Sequence, residues 1–171
     1  PLRFGKGYPY EGGLRVPLIV NWPGQIASGT QCDVPVSSID LLPTIAAITQ
    51  TQTPRDRPLD GLSLVPLLKQ TGELKRDTLL WHFPHYWYGR NVRPYSIIRV
   101  GDWKLIHQYE TDSDELYNLA DDLSEEHNLA AQQPQRAREL RTKLEQMLQD
   151  MGAQLPKPNP ALRTGKPPLP Q

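Results

Sequence analysis

Eighteen prolines are spread along a chain of 171 residues, about twice the usual usage of roughly 5%. Each fixes φ and removes a backbone donor, so much of the chain is expected to run as loops, turns and short elements. A helical bundle is excluded. With 37% hydrophobic residues the chain can still bury a core of about one domain. Nineteen Lys and Arg balance nineteen Asp and Glu, so nothing in the overall charge calls for nucleic acid as a partner. A small anionic substrate stays possible. Cys32 is the sole cysteine, which removes an internal disulfide and a cysteine-clustered zinc site. No stretch approaches the roughly 20 apolar residues that span a bilayer, so no membrane partner is expected. Pro1 opens the chain inside a glycine-rich turn, and a fragment of something longer is therefore expected.

Gly5-Lys6-Gly7-Tyr8-Pro9-Tyr10-Glu11-Gly12-Gly13 is a loop whose glycines admit positive φ and close approach by other groups. The apolar run Val16 to Val20, closed by Trp22-Pro23-Gly24, suits a strand buried on both faces. Asp40 to Ile48 carries a capping-type Asp and apolar residues at 41, 45 and 48, which predicts a helix. Ser63 to Leu68 predicts one further helical turn, and the polar stretch Lys69–Asp77 a boundary.

Leu79 to Phe83 predicts a strand stopped by Pro84. Ser96 to Val100 and Trp103 to Tyr109, around Gly101-Asp102, predict a hairpin with Trp103, Leu105, His107 and Tyr109 on one face. Glu115 to Leu119 adds another antiparallel strand. Pro134 opens a helix in which Ala137, Leu140, Leu144, Met147 and Met151 recur at three- and four-residue steps, ending at Gly152. Glu139–Lys143 and Arg141–Glu145 are expected to pair on its wet face. The domain organisation expected is 1–75, 76–154 and a proline-rich tail, 155–171.

Lys6 is the best single candidate for chemistry, because an ammonium group beside flexible backbone amides can hold a tetrahedral anion. On pattern alone, a solvated loop lysine is the simpler reading. A nucleotide P-loop is excluded, since Gly7 stands where a hydroxyl residue is required. Trp81, His82, His85, Tyr86, Trp87, Tyr88, Arg90 and Arg93 mix rings and cations in thirteen residues, a composition that suits stacking on a sugar or aromatic ring beside an acid group. The alternative is a core strand running into an ordinary surface loop. His82 and His85 have a metal-like spacing but no third ligand nearby in sequence, and metal is not expected there. Glu11, Arg15 and Asp60 read as turn and ion-pair residues, His107 as a satisfied sheet histidine, and Asp121-Asp122 as charged surface.

Gly5-Lys6-Gly7 with Tyr10-Glu11-Gly12-Gly13-Leu14-Arg15-Val16-Pro17, then Trp22-Pro23-Gly24, Asp40-Leu41-Leu42-Pro43-Thr44, Asp60-Gly61-Leu62-Ser63-Leu64, Gly101-Asp102-Trp103-Lys104-Leu105-Ile106 and Glu115-Leu116-Tyr117-Asn118-Leu119 resemble, in order and spacing, the C-terminal part of type I, arylsulfatase-like sulfatases. The resemblance implies an α+β piece of the alkaline-phosphatase-like fold: the end of the large α/β domain, then an antiparallel sheet with one long helix. It also implies a parent enzyme that hydrolyses sulfate esters with formylglycine and calcium. Neither group has its motif here. Around Cys32 the proline falls one place too late and no arginine follows, and no Asp-Asn pair occurs.

Of the family's catalytic positions only Lys6 carries over, as a sulfate contact. The isolated chain is therefore expected to be inactive. His82, His85, Tyr86 and Arg90 are expected to help select the group bearing the sulfate, a sulfated small molecule or glycan. The rival readings are a non-catalytic interaction or carbohydrate-binding module and a related phosphoesterase or phosphonate hydrolase. The resemblance is compatible with a periplasmic or secreted setting. Self-association through exposed strand edges is expected of a piece cut from a larger sheet.

Overall fold

The computed structural model describes residues 1–53, 56 and 58–157; most of the expected proline-rich tail lies outside them. The chain forms two compact units, one of residues 17–76 and one of residues 1–16 together with 77 onward.

The second of these is built on a sheet. Residues 1–16 contribute the short helix α1, Glu11–Leu14. Farther on come strands β1, Thr78–Phe83, β2, Tyr95–Val100, β3, Trp103–Gln108, and β4, Ser113–Asn118, and then the helix α4, Pro134–Asp150. The strands pair antiparallel in the order β1-β2-β3-β4, each joined to the next as short connections favour. The β2–β3 turn lies at Gly101-Asp102, where Gly101 has φ 57°. The predicted hairpin and both flanking strands are present.

Alternation divides the sheet into two apolar faces. Leu80, Ile98, Leu105 and Leu116 share one rung and pack against Ala137, Leu140, Leu144 and Leu148 of α4. Met151, placed in the helix stripe by spacing, is exposed, and Leu148 takes the buried position. On the wet side Arg141 pairs with Glu145 at 2.6 Å, whereas Lys143 donates to Thr78 Oγ1 at 2.7 Å. The strand end thus replaces the expected Glu139 partner.

Ile97, Ile106 and Tyr117 face the other way, with Tyr10, Val92 and Tyr95. Residues 1–16 cover this face, so they group with the sheet although the sequence reading placed them with 17–75. The cause is a set of long-range contacts, chiefly through Arg3 and Glu11, that no local pattern displays.

The 17–76 unit holds α2, Leu41–Thr49, and α3, Val65–Leu68. Its centre is the Asp40 carboxylate, fully buried. It accepts the Ser37 N–H at 2.8 Å and the Leu62 N–H at 2.9 Å, and accepts from both terminal guanidinium nitrogens of Arg76 at 2.7 Å. Asp40 therefore ties the loop to the helix rather than capping α2 itself. Gly61 has no room for a side chain, since a Cβ would lie 2.0 Å from the Ile39 carbonyl oxygen. The Val16–Val20 run is not a strand. Among the described residues nothing pairs with it, and a backbone without a ladder partner keeps its polar groups in water; Ile19 is 90% exposed.

Candidate active-site loop

Lys6 sits at the tip of a loop that doubles back on itself. The Tyr8 N–H donates to the Gly5 carbonyl at 3.1 Å, and the Gly12 N–H to the Arg3 carbonyl at 3.1 Å. A Cβ on Gly12 would lie 2.3 Å from the Phe4 oxygen, and one on Gly13 would lie 2.2 Å from the Tyr8 oxygen. Both glycines are therefore demanded by backbone packed on backbone. Lys6 is exposed, and no hydrogen bond or ion pair joins it to another described residue.

Three contacts join this loop to the aromatic segment after β1 and to the first residue of β2. The Trp87 indole lies against Gly7 (φ 96°), where a Cβ would stand 2.7 Å from the ring. The Tyr8 hydroxyl donates to the Arg90 carbonyl at 2.7 Å, and the Tyr95 hydroxyl to the Gly7 carbonyl at 3.2 Å. The aromatic segment is itself closed by Trp87 and Val92, which exchange backbone hydrogen bonds at 2.9 and 3.2 Å. The Arg90 guanidinium lies 5.5 Å from the Trp87 ring centroid, a cation–π distance. A cation and rings some eighty residues farther along the chain thus share one surface with the Lys6 loop.

The four residues named beside Lys6 have different surroundings. His85 is exposed, its ring edge-on to Phe83. Tyr86 donates its hydroxyl to Glu110 at 3.1 Å, and Glu110 also pairs with Arg93. Arg90 presents its guanidinium at the surface. His82 belongs to the α4 face: Nδ1 lies 2.6 Å from Ser96 Oγ and Nε2 3.0 Å from the Gln154 carbonyl, and Ser96 Oγ lies 2.8 Å from the Tyr109 hydroxyl. Both nitrogens of His82 are occupied within the protein. His107 is held by Asp114 at 2.9 Å, in the manner of a sheet histidine.

Beneath the loop lies a group of charges that sequence patterns did not single out as a cluster. Lys104 on β3 has no exposed side-chain surface; its Nζ is 2.9 Å from Glu11 Oε1 and 2.8 Å from Glu125 Oε1. Glu125 Oε2 accepts the Glu11 N–H at 2.6 Å. Burial pushes the Glu125 carboxyl up from its ordinary value, and Lys104 offsets only part of that. Beside it, Arg3 donates to the Glu125 carbonyl at 2.7 Å and to the Tyr117 hydroxyl at 3.0 Å. Burial, reinforced by Glu115, raises the Tyr10 hydroxyl to about 12. The available signal was the pair Ile97 and Ile106: apolar residues on a face shared with Lys104 mean that this face is covered.

Among the described residues, no group of three His, Cys, Asp or Glu side chains is placed to hold a metal. These residues do not fit a calcium cage. No described helix is long and apolar enough to cross a membrane.

The four-stranded antiparallel sheet with one long helix is the α+β architecture expected from the sulfatase resemblance. The sequence profile "N-sulphoglucosamine sulphohydrolase, C-terminal" matches residues 3–154, and the chain belongs to that family. It is 42% identical over 144 residues to a sulfatase of Formosa agariphila, covering 78% of this chain and 26% of the relative. The solved structure of Ps i-CgsB in complex with k-i-k-neocarrahexaose superposes with a TM-score of 0.70 at 28% identity, over 86% of this chain and 32% of that one. BT4656 in complex with its substrate D-glucosamine-2-N,6-O-disulfate gives a TM-score of 0.55 at 29% identity, over 64% and 23%. The chain thus spans about a quarter to a third of the length of such relatives.

Proposed function

We propose that this chain is the C-terminal portion of an enzyme that hydrolyses sulfate esters of carbohydrates, and that Lys6 binds the sulfate. The observation that carries the reading is the exposed ammonium of Lys6, unpaired among the described residues, on a loop closed by the Tyr8–Gly5 and Gly12–Arg3 backbone hydrogen bonds and flanked by Trp87 and Arg90. A sulfate ester carries negative charge spread over its oxygens, and that charge shifts as the ester bond breaks. A positive group held in place beforehand stabilises the shift without reorganising. Lys6 supplies such a charge; Gly5, where a Cβ would meet nothing within 4 Å, leaves room for an oxyanion to approach the backbone.

The rim residues have a separate task. Arg90 and His85, exposed on the aromatic segment, offer donors to hydroxyl or acid groups of a sugar, and Tyr86 offers a ring edge fixed by Glu110. His82 contributes by holding β1 to the residues after α4. The substrate named for BT4656, a glucosamine disulfate, is of the class this mixture of cations and rings suits. Formylglycine and calcium, implied by family membership, would belong to parts of the protein other than these residues. The isolated chain is expected to show no turnover.

In the full-length protein, Lys6→Ala is expected to lower kcat for a sulfate ester on the order of 10²–10³-fold, the range for losing one preorganised donor. Turnover within threefold of the unsubstituted enzyme would overturn the assignment.

A further inference from the structure

We propose that Lys104, Glu11 and Glu125 are positioning residues for Lys6, a buried ion triad that fixes the glycine loop without touching the substrate. This rests on the reading of Lys6 as the sulfate contact. The triad is sealed: Lys104 and Glu125 have no exposed side-chain surface and Glu11 has 5%. Four parts of the chain meet at it, namely α1, β2 through Arg99 at 4.0 Å from Glu11 Oε2, β3, and the segment after β4.

Stability alone gives a weak reason for such a group. Bringing three ionised side chains out of water costs about as much as their mutual attraction returns, and well-packed apolar residues commonly do as well or better. An ion triad supplies direction, which an apolar cluster lacks. The Lys104 ammonium donates to Glu11 Oε1 and stands in ion contact with Glu125 Oε1, which accepts no hydrogen bond from the described residues, while the second oxygen of Glu125 accepts the Glu11 backbone N–H. Side chain and main chain of Glu11 are therefore both fixed relative to β3.

From Glu11 the constraint passes to Lys6 through backbone alone. Gly12 and Gly13 follow directly and rest on the carbonyls of Phe4, Gly5 and Tyr8, which are the two stems of the Lys6 loop. Arg3 closes the far stem by donating to the Glu125 carbonyl, so Glu125 holds both ends of the loop, one with its side chain and one with its main chain. Glu125 has φ 55°, an uncommon backbone for a residue other than glycine. That conformation lets side chain and carbonyl serve opposite stems.

The test uses the full-length protein with Lys104→Met, which keeps the length and removes the charge, and the double variant Lys104→Met/Glu125→Leu, which leaves Glu11 to Arg99 and avoids an orphaned buried carboxylate at residue 125. Amide hydrogen exchange is read at Tyr8 and Gly12, whose N–H groups close the loop, and at Ile97 and Ile106 in the sheet. The expected result is exchange about tenfold or more faster at Tyr8 and Gly12 with the sheet amides unchanged. Per folded molecule, kcat for a sulfate ester is expected to fall by up to about 10²-fold with a smaller change in KM, as misplacement of a charged group by about 1 Å can produce. Leu144→Ala, in the α4 core, serves as the control for general destabilisation and is expected to leave kcat per folded molecule intact.

Unchanged exchange at Tyr8 and Gly12 in a folded variant, or an equal loss of kcat in the Leu144→Ala control, would overturn the proposal. If Lys6→Ala fails to slow the enzyme, the sulfate reading falls, and the exchange measurement still decides whether the triad holds the loop.

Discussion

The two compact units solve the same problem by opposite means. The sheet unit encloses Ile97, Ile98, Leu105, Ile106 and Leu116 completely between α4 and residues 1–16, and then adds ions to fix one loop. The 17–76 unit buries Ala46 and Leu64 but leaves Leu41, Leu42, Ile45 and Ile48 of α2 exposed, and its organisation depends on Asp40. In the first, charges refine a fold that apolar burial already drives. In the second, a single carboxylate stands where a core would be.

The largest expected effect follows from that difference. Asp40→Ala removes the acceptor for two backbone N–H groups and leaves Arg76, 13% exposed, without its partner. Breaking a buried pair from one side costs about 3–5 kcal/mol. Limited proteolysis should open the stretch 37–76 while the sheet stays protected; cleavage unchanged from the parent chain would contradict the account. Leu144→Ala comes next, about 3 kcal/mol for a buried leucine truncated to a cavity. It should appear as a lowered urea midpoint for the sheet unit.

Acidity sharpens the comparison further. Burial by itself would raise the Asp40 carboxyl, but Arg76 and the N–H donors of Leu62 and Ser37 outweigh it and hold the group below its ordinary value. Its stabilising contribution is therefore complete above the usual Asp pKa of about 3.9 and is lost as pH falls toward the lower folded value. Glu125 runs the other way. Burial raises it, so the folded state binds its proton more tightly, and its effect on stability becomes less favourable as pH rises from about 4.3 through the folded value. A carboxyl-carbon NMR titration should find the Asp40 midpoint below and the Glu125 midpoint above those references. Coincident midpoints would refute the contrast. The smallest effect is expected for Ile19→Ser, at most about 0.5 kcal/mol by urea denaturation of the 17–76 unit, because its side chain is 90% exposed.

The local patterns carried much of the architecture. Strand alternation and the Gly101-Asp102 turn sufficed for the hairpin, and three- and four-residue spacing with Pro134 and Gly152 sufficed for α4. Those signals are local and repeat, so they survive in a single sequence. The Val16–Val20 run misled for the complementary reason: an apolar run states that a segment prefers burial and says nothing about which strand will pair with it. The Lys6 loop was legible through its glycines. Its support was not, because Lys104 stands off the predicted Trp103-Leu105-His107 face and Glu125 lies in a loop twenty-one residues on, with no local pattern to join them. Only the folded chain brings them within 2.8 Å. The aromatic segment was visible as composition, whereas the contact of Trp87 with Gly7 required the tertiary arrangement.

That contact gives the molecule a built-in optical reporter. An indole resting on the glycine beside Lys6, with 38% of its surface in water, should change its emission and its quenching by acrylamide whenever the neighbouring ammonium is engaged or the turn loosens. Binding at the proposed sulfate contact, Lys6, is then expected to be readable by fluorescence once Trp22, Trp81 and Trp103 are replaced by Phe, with no label attached.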